Sequence, residues 1–440
     1  MGTQPFAAGM AATAWLIGLA LFWNRGFYGR MPLVILSIAI LVCAGAILRQ
    51  AAGARDRTPS RAWYWTVAGG LGVQAVLLST TSPVVWGAVI VAGICGALQI
   101  LDLRAWRTPV LTLGVTAFVV AAIVYIRVVV AAPPIDVFMF QQNGMTALLH
   151  GVNPYTAIYP NIYERDTMFY GPGVVDANNR LTIGLPYPPA SLAMILPAFV
   201  IGGDCRYAEI AAAAATACLM AFVGGPRWGG LVAFLFLLTP IVFWIIPNAY
   251  TEPLFALTFS LVMVSALRWR RALPYALGLF AATKQYSLFS LPLTLMLLRT
   301  SDGWKEWLRL LAIAAAVAVA VTLPFVWWDP GMFVRSVVAF QFMQPFRPDS
   351  LSHLVWMFKL LPHVPFLAAL PYAAMLTALA VVLWRPVRSA AHFAAAATLV
   401  QLVFFALSRQ AFANYYYFTI ATASWAAVAA SPDRPPARHA

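Results

Sequence analysis

The chain has 440 residues, of which 62% are hydrophobic and only 10% are charged, and its mean hydropathy is +0.80. These values exclude a soluble globular domain and indicate a polytopic α-helical membrane protein. The net charge of +14 comes almost entirely from arginine. Because the basic residues do not interleave along one soluble face, we interpret the excess as membrane topology and contact with anionic lipids, and we expect no nucleic-acid partner.

Apolar runs that could form membrane segments recur along the whole chain. They lie near residues 7–23, 32–48, 63–81, 83–101, 108–131, 190–204, 207–224, 253–267, 309–326, 364–384, 389–407 and 413–430. The first of these is predicted to be a retained helix, since no basic segment and cleavage site of a signal peptide accompany it. The fold class predicted is an all-α polytopic bundle of about 12–16 membrane segments, some of them short or broken.

Two further apolar stretches predict broken segments. Residues 229–250 are interrupted at Thr239-Pro240, and we interpret them as two short half-spans hinged at the proline. This interpretation puts the basic cluster Arg268–Arg271 on the cytoplasmic side. Residues 273–298 lie between that cluster and another basic stretch, so they are predicted to go out and return, with Thr283–Tyr286 at the outer turn.

The distribution of arginine predicts the topology of the loops. The loop that contains Arg49, Arg55, Arg57 and Arg61 should be cytoplasmic, and so should residues 102–107. Both assignments place the long loop after residue 131 outside. Arg25 and Arg30 then also lie outside, against the same rule.

The chain is predicted to divide into three parts. Residues 1–107 form an N-terminal four-helix membrane module, residues 108–430 a larger membrane domain, and residues 431–440 a disordered cytoplasmic tail. Within the larger domain, residues 132–189 and 327–353 are the two outer loops. The four cysteines lie in or beside apolar runs without metal-ligand spacing, so we predict no disulfide and no metal site, with a divalent metal left open.

The first outer loop begins with a predicted amphipathic helix. Pro133-Pro134 ends the preceding apolar run, and Asp136 falls in the first turn of a new helix, where a carboxylate is favoured. Asn143 and His150 follow at a spacing of seven, which predicts a helix at the membrane surface with its polar face toward an aqueous cavity. Gly151 ends it. Asp136 is either a helix-capping residue or a chemically active carboxylate at the edge of the membrane bundle.

Further charged residues lie at breaks between apolar runs. Glu252, at the start of an apolar helix, is either a first-turn acid or a functional acid at membrane depth. Lys284 either extends its amine toward the surface or faces a cavity as a point cation suited to phosphate. Arg347 and Arg409 lie outside against the general bias, so each is expected to have an anionic partner, and for Arg347 the alternative is a salt bridge with Asp349.

Tyrosines are frequent in the first outer loop. They form either an interfacial aromatic belt or stacking surfaces for sugar rings. The residues are Tyr155, Tyr159, Tyr163, Tyr170 and Tyr187.

Four motifs occur in a fixed order: the Asp-led juxtamembrane helix, LLHGVNPY over Leu148–Tyr155, YPP over Tyr187–Pro189, and a membrane-embedded Lys284-Gln285. In these motifs the chain, over roughly residues 108–420, resembles the GT-C superfamily of polyprenyl-phosphate-sugar-dependent glycosyltransferases. It is most similar to the bacterial branch of glycosyltransferase family 87, which includes mannosyltransferases. The resemblance implies about a dozen membrane helices and a metal-independent, inverting transfer in which Asp136 is the general base.

The reaction implied moves a sugar, with a mannose-like hexose favoured, from a polyprenyl-phosphate donor to a lipid-linked or envelope glycan acceptor. It would take place at the extracytoplasmic face of the cell membrane. A phosphate leaving group needs cations, and the candidates are Lys284, Arg347 and Arg409. The residues expected to bind substrate are Asn143, His150, Tyr155, Tyr187, Glu252, His353 and Asn414.

Two other functions are compatible with these patterns. A transporter or flippase of polyprenyl lipids or solutes would also use broken helices and intramembrane charges, although its halves should show repeat symmetry. A non-catalytic scaffold of a cell-envelope assembly is the third possibility. It would leave Lys284 and Glu252 without a purpose at membrane depth.

Overall fold

The computed structural model describes residues 4–51, 60–101, 105–164, 167–361, 368–384, 386–431 and 433. Throughout these ranges the regular structure is helical, apart from isolated β-bridges in loops, which confirms the all-α class. Some predictions lie outside the described residues: the side of Arg55 and Arg57, half of the segment 102–107, and nearly all of the tail 431–440.

Nineteen α-helices lie within the described ranges, joined in places by short 3₁₀ and π-helical segments. They are α1 (Gln4–Asn24), α2 (Arg30–Ala51), α3 (Ser60–Ser79), α4 (Trp86–Leu98), α5 (Arg107–Val124), α6 (Asp136–Leu149), α7 (Pro189–Gly202), α8 (Arg206–Gly224), α9 (Gly230–Leu237), α10 (Val242–Ile245), α11 (Glu252–Leu267), α12 (Leu273–Ala281), α13 (Trp304–Trp328), α14 (Pro330–Phe333), α15 (Phe340–Met343), α16 (His353–Leu360), α17 (Leu370–Trp384), α18 (Ala390–Ala406) and α19 (Ala413–Ala429).

Several of these helices are suited to a membrane. In the described ranges, five stretches are long and apolar enough to cross one: Pro5–Asn24, Arg30–Gln50, Arg107–Val129, Arg206–Gly224 and Trp304–Trp328. Shorter apolar helices cover Pro83–Leu98, Pro189–Gly202, Arg227–Leu237, Glu252–Leu267, Leu370–Trp384 and Ala390–Ala406. Together with the composition of the sequence, the five long stretches make the chain a multi-pass membrane protein.

The first four helices pack into the same apolar core as the rest of the bundle. Helix α1 lies along α19, and α3 and α4 both contact α9. Gly96 and Gly114 allow α4 and α5 to approach Phe234 closely, since a Cβ at either glycine would lie less than 3 Å from that side chain. The module boundary at residue 107 stays a prediction, and no separate core marks it within the described residues.

The two ends of the bundle differ in chemistry. At one, which we call the basic end, Arg270 pairs with Asp302 at 3.2 Å, and Arg388 donates to the backbone oxygen of Arg299 at 2.6 Å. The opposite end, the loop end, carries residues 130–189 and 329–352. The side of the membrane that each end faces stays a prediction.

The prediction that residues 190–204 cross the membrane is wrong. Helix α7 has 14 residues and is about 21 Å long, too short for a bilayer core. Both of its ends lie near the loop end of the bundle. Ala190 donates its N–H to the backbone oxygen of Ala282 at 3.2 Å, and Gln142 of α6 donates to that of Gly203 at 2.7 Å.

The prediction of two half-spans over residues 229–250 is also wrong. The segment starts at the basic end, where the Asp433 carboxylate accepts the backbone N–H of Trp228 at 2.8 Å. It finishes at the loop end, where Arg206 donates to the backbone oxygen of Pro247 at 3.4 Å. Helix α9 does break near Thr239-Pro240, but the chain crosses once. Each of the two predictions counts one crossing too many. The side of the bundle on which Arg268–Arg271 lies is therefore unchanged, and the cluster lies at the basic end as expected.

The predicted out-and-back path of residues 273–298 is confirmed. Helix α12 rises from the basic end, the chain turns at Lys284, and 3₁₀ segments over Gln285–Ser290 and Pro292–Leu297 return it. The nine residues of α12 span only about 14 Å, so the turn lies inside the bundle rather than beyond it. The Gln285 side chain fixes the turn by donating to the backbone oxygens of Pro186 and Val337, each at 3.0 Å.

The loop end is covered by a small lobe with its own apolar core. Helices α6, α7, α14 and α15 and the first outer loop surround Phe140, Met145, Tyr155, Leu185 and Phe333. Helix α6 begins at Asp136 and is followed by Gly151 in the left-handed conformation (φ 71°), as the prolines and the glycine predicted. This lobe forms the roof of the candidate site.

Candidate active site

A cavity of about 1460 Å³ lies between the lobe and the membrane helices. Residues from distant parts of the chain line it, and six of the predicted site residues are among them: Asp136, Tyr187, Lys284, Arg347, Arg409 and Asn414. Much of the remaining wall is aromatic or aliphatic. The fold therefore places two carboxylates, Asp136 and Asp349, and several cations in a single cavity at the loop end of the bundle.

Asp136 is half-buried at the edge of this cavity. The hydroxyl of Tyr170 donates to its Oδ2 at 2.9 Å, and the Asp136 N–H donates to the Tyr163 oxygen at 3.1 Å. Burial raises the pKa of Asp136 above its ordinary value, while hydrogen bonds with Tyr170, Val137 and Tyr163 and the charge of Arg347 oppose that shift. The net increase makes this carboxylate a stronger base than an exposed aspartate.

Lys284 projects from the turn after α12 and is 7% exposed. Its Nζ lies 2.9 Å from Glu252 Oε1 and 2.5 Å from Thr251 Oγ1, and 5.1 Å from the ring centre of Tyr187. Glu252 itself is fully buried and does not line the cavity, so its expected direct contact with substrate is not supported. It lies behind the wall because the first turn of α11 points into the bundle.

Arg347 forms the salt bridge with Asp349 that was the alternative to an anionic ligand. Its Nε and Nη2 donate to the two carboxylate oxygens at 2.9 and 2.7 Å. The guanidinium also lies 4.6 Å from the ring centre of Phe169 and 4.7 Å from that of Phe412. This bidentate, stacked geometry fixes the group firmly while leaving it on the cavity wall.

Arg409 has a different environment. Its Nη2 donates to the backbone oxygen of Gln341 at 2.7 Å, and its own backbone oxygen accepts the Arg347 N–H at 3.0 Å. No carboxylate of the described residues lies within 4 Å of its guanidinium. Its positive charge is therefore less compensated by the protein than the charges of Lys284 and Arg347.

A fourth cation, Arg25, lines the same cavity and was not among the predicted site residues. It follows α1 in the left-handed conformation (φ 53°), and its guanidinium lies 4.9 Å from the ring centre of Trp244. The turn is tight, because a Cβ at Gly26 would lie 2.3 Å from the backbone nitrogen of Ala413. The signal in the sequence was the violation of the positive-inside rule by Arg25.

Asn143 and His150 do not reach the cavity. They lie on the stripe of α6 that includes Asp136, as the spacing predicted, but both are exposed. The helix is about 21 Å long, and of its residues only Asp136, Val137 and Phe140, near its start, border the cavity. His150 Nδ1 instead lies 2.7 Å from the backbone oxygen of Thr146. The predicted cavity-facing role of these two residues is wrong.

Tyr155 and His353 also lie away from the cavity. Tyr155 is fully buried in the lobe, and its hydroxyl donates to the backbone oxygen of Tyr187 at 2.8 Å. His353 lies 2.8 Å from the Ser37 hydroxyl, and burial lowers the pKa of its imidazole. Both side chains stabilise packing next to the site, so direct binding of substrate by either is not supported.

Within the described ranges, no three His, Cys, Asp or Glu side chains are grouped closely enough to hold a metal ion. The expected metal independence stays a prediction.

The sequence matches no protein-family model and no curated protein. Among solved structures, the model is similar to the crystal structure of ArnT from Cupriavidus metallidurans bound to undecaprenyl phosphate, with 20% identity and a TM-score of 0.44. The match covers 72% of this chain and 59% of the ArnT chain, so this chain spans less than two thirds of that protein. A likeness at this level defines neither the family nor the activity of the present chain.

Proposed function

We propose that this chain is an integral membrane glycosyltransferase of the GT-C type that uses a polyprenyl-phosphate sugar as donor. The observation that carries the proposal is the cavity itself. It joins Asp136, a half-buried carboxylate with a raised pKa, to the cations Lys284, Arg347 and Arg409. A carboxylate base opposite a group of cations suits transfer from a phosphate leaving group.

The proposed reaction is a single displacement. Asp136 accepts the proton of an acceptor hydroxyl as the hydroxyl oxygen forms a bond to the anomeric carbon of the sugar. The bond between that carbon and the phosphate oxygen breaks, and polyprenyl phosphate leaves with the electron pair. The cations stabilise the negative charge that grows on the phosphate. One displacement inverts the configuration of the sugar, and the phosphate leaves without a general acid.

The mouth of the cavity suits a lipid tail. Leu288, Phe342 and Tyr372 all line the cavity, yet they are 58%, 69% and 44% exposed. In a membrane protein, such exposed apolar side chains beside charged groups fit an amphiphile whose phosphate lies inside and whose chain lies in lipid. The favoured sugar is a mannose-like hexose, and the favoured acceptor is a lipid-linked or envelope glycan at the extracytoplasmic face. Both assignments rest on the resemblance of the sequence motifs alone.

The proposal is tested with the purified full chain in lipid nanodiscs. Radiolabelled polyprenyl-phosphate sugars are supplied as a panel, with total membrane lipids and envelope glycans as acceptors. We expect label to move to an acceptor with release of polyprenyl phosphate. Transport is measured separately with the same protein in proteoliposomes. If no donor is consumed and labelled donor crosses their bilayer, the chain is a transporter and the proposal is wrong.

A matched pair of variants tests the role of Asp136. Asp136→Asn should abolish transfer with little effect on folding, because asparagine fits a helix start but cannot accept the proton. The control is Asp329→Asn at the start of α14, where Asp329 Oδ1 accepts the N–H of Met332 at 2.9 Å. That variant should transfer at the wild-type rate. Full activity in Asp136→Asn would eliminate Asp136 as the base.

A further inference from the structure

Glu252 connects two segments of the cavity wall from behind, the turn at Lys284 and the start of α19. Its Oε1 lies 2.9 Å from Lys284 Nζ, accepts the Tyr286 hydroxyl at 3.0 Å, and accepts the Asn414 amide N–H at 3.0 Å. All three partners line the cavity, whereas Glu252 is 0% exposed and does not. Its Oε2 has no hydrogen-bond partner within the described part of the chain.

We propose that Glu252 is a positioning residue, which acts on the donor phosphate only through Lys284. This inference rests on the proposed function and assigns Glu252 a role other than binding substrate. The carboxylate holds the ammonium group charged and in place on the cavity wall before a ligand arrives. When a phosphate binds in the cavity, the ammonium group lies between the carboxylate of Glu252 and the phosphate.

The burial of the pair supports this role. A lysine that is 7% exposed loses most of its hydration, and an ammonium without a carboxylate partner is strongly disfavoured there. Its second contact, Thr251 Oγ1 at 2.5 Å, supplies no charge. The aromatic ring of Tyr187 borders the ammonium at 5.1 Å and limits the directions in which it can turn. Glu252 is therefore the counter-charge that allows a cation at this depth.

Other ionisable groups face the pair and define its electrostatic surroundings. Glu209 of α8 interacts electrostatically with both members, and it is also fully buried. The remaining groups are the phenols of Tyr187, Tyr250, Tyr286 and Tyr415. Among the described residues, Glu252 is the carboxylate that contacts the Lys284 ammonium directly, at 2.9 Å, whereas Glu209 interacts with it without an ion-pair contact.

A double-mutant cycle with Glu252→Gln and Lys284→Met tests the inference. Glutamine keeps the size and the acceptor oxygen for Tyr286 and Asn414 but removes the charge. Each single variant should weaken binding of radiolabelled polyprenyl phosphate, and lower kcat/KM for the donor, by about ten- to a hundredfold. In the Lys284→Met background, Glu252→Gln should change either quantity by no more than about twofold, because its effect passes through the missing ammonium.

The matched control is Glu306→Gln, the same substitution in the first turn of α13 at the basic end. Glu306 accepts the backbone N–H of Gly303 at 2.9 Å, and the amide oxygen of glutamine can accept the same hydrogen bond. This variant should bind and transfer like the wild type. Effects of Glu252→Gln and Lys284→Met that multiply in the double variant overturn the inference, and so does wild-type behaviour of Glu252→Gln.

Folding is measured for every variant by size-exclusion profile and thermal unfolding. If Glu252→Gln alone fails to fold, the inference requires the double variant to fold, since it contains no unpaired buried ammonium. A double variant that also fails to fold overturns it. Binding of polyprenyl phosphate needs no turnover, so the double-mutant cycle can still be measured by binding if the wild type transfers no sugar. Failure of the proposed enzyme and failure of the positioning role are thereby distinguished.

Discussion

The hydrogen bond from Tyr170 to Asp136 predicts how the activity depends on pH. The phenol donates to Oδ2 at 2.9 Å and favours the ionised carboxylate, against the effect of burial, which raises the pKa of Asp136. Tyr170→Phe removes this bond, so less remains to oppose the increase in the pKa of Asp136 that burial causes. The pKa of Asp136 should therefore rise further in the variant.

The size of the shift follows from the worth of one such bond. A hydrogen bond to a charged group contributes about 1.5–3 kcal/mol. One pKa unit corresponds to about 1.4 kcal/mol, so complete loss would raise the pKa by about one to two units. Asp136 is only half-buried, and water in the cavity can replace part of the lost bond. We expect about one unit.

The sign follows from the proposed role of Asp136 as the base. The base works when ionised, so activity falls as the pH is lowered through its pKa. A higher pKa in Tyr170→Phe moves this acidic limb of the kcat profile to higher pH by about one unit. The measurement is kcat for the purified enzyme over a pH series at saturating donor and acceptor.

Tyr159→Phe is the matched control for this experiment. Tyr159 lies in the same lobe, but its hydroxyl donates to the backbone oxygen of Pro154 at 2.9 Å rather than to Asp136. Its loss should affect the stability of the lobe only, and the acidic limb should not move. A limb that stays in place in Tyr170→Phe, or that shifts toward lower pH, would refute the assignment of Asp136 as the titrating base.

Three other predictions follow from the cavity and the bundle. Lys284→Met should lower the affinity for the donor and, more strongly, the rate of transfer, by about ten- to a hundredfold overall. The control Lys305→Met, at the basic end, should change neither. Steady-state kinetics in both substrates measure these effects, and a loss of acceptor affinity alone would contradict the prediction. Arg409→Gln should raise KM for the donor and leave KM for the acceptor unchanged in the same assay. Cysteines at Asn178 and Gln285 should both react with an impermeant thiol reagent from one face of intact cells, with Gln285 slower, and labelling from opposite faces would overturn the topology.

Local signals in the sequence predicted the parts of the fold that depend on local chemistry. Pro133-Pro134 and Gly151 bound α6 because proline fits a helix start and glycine tolerates the left-handed conformation that follows its end. The turn at Lys284 was predicted because basic stretches on both sides require the chain to return. These signals act within a few residues or through a simple count of crossings.

The errors arose where packing between distant segments decides the outcome. Helix α7 is as apolar as a membrane span, but it packs within the lobe, and apolar content alone does not distinguish the two situations. Once α7 is counted as a crossing, the positive-inside rule requires residues 229–250 to cross twice, whereas the chain crosses once there. Tyr155 and His353 similarly carry polar groups that satisfy partners far away in sequence, the Tyr187 backbone and the Ser37 hydroxyl.

Several cations at the loop end contradict the positive-inside rule and lie around the same cavity. The positive-inside rule reflects where basic residues meet the cytoplasmic leaflet, and it counts charges loop by loop. Taken singly, Arg25, Arg347 and Arg409 are violations of that rule in three separate loops. The fold brings all three to one cavity together with Lys284. Other arginines on this side, among them Arg30, Arg180 and Arg335, do not line the cavity, so a violation of the rule does not by itself mark the site. What distinguishes Arg25, Arg347 and Arg409 is that the fold gathers them with Lys284 around one cavity, and this grouping of cations suits the anionic donor of the proposed function.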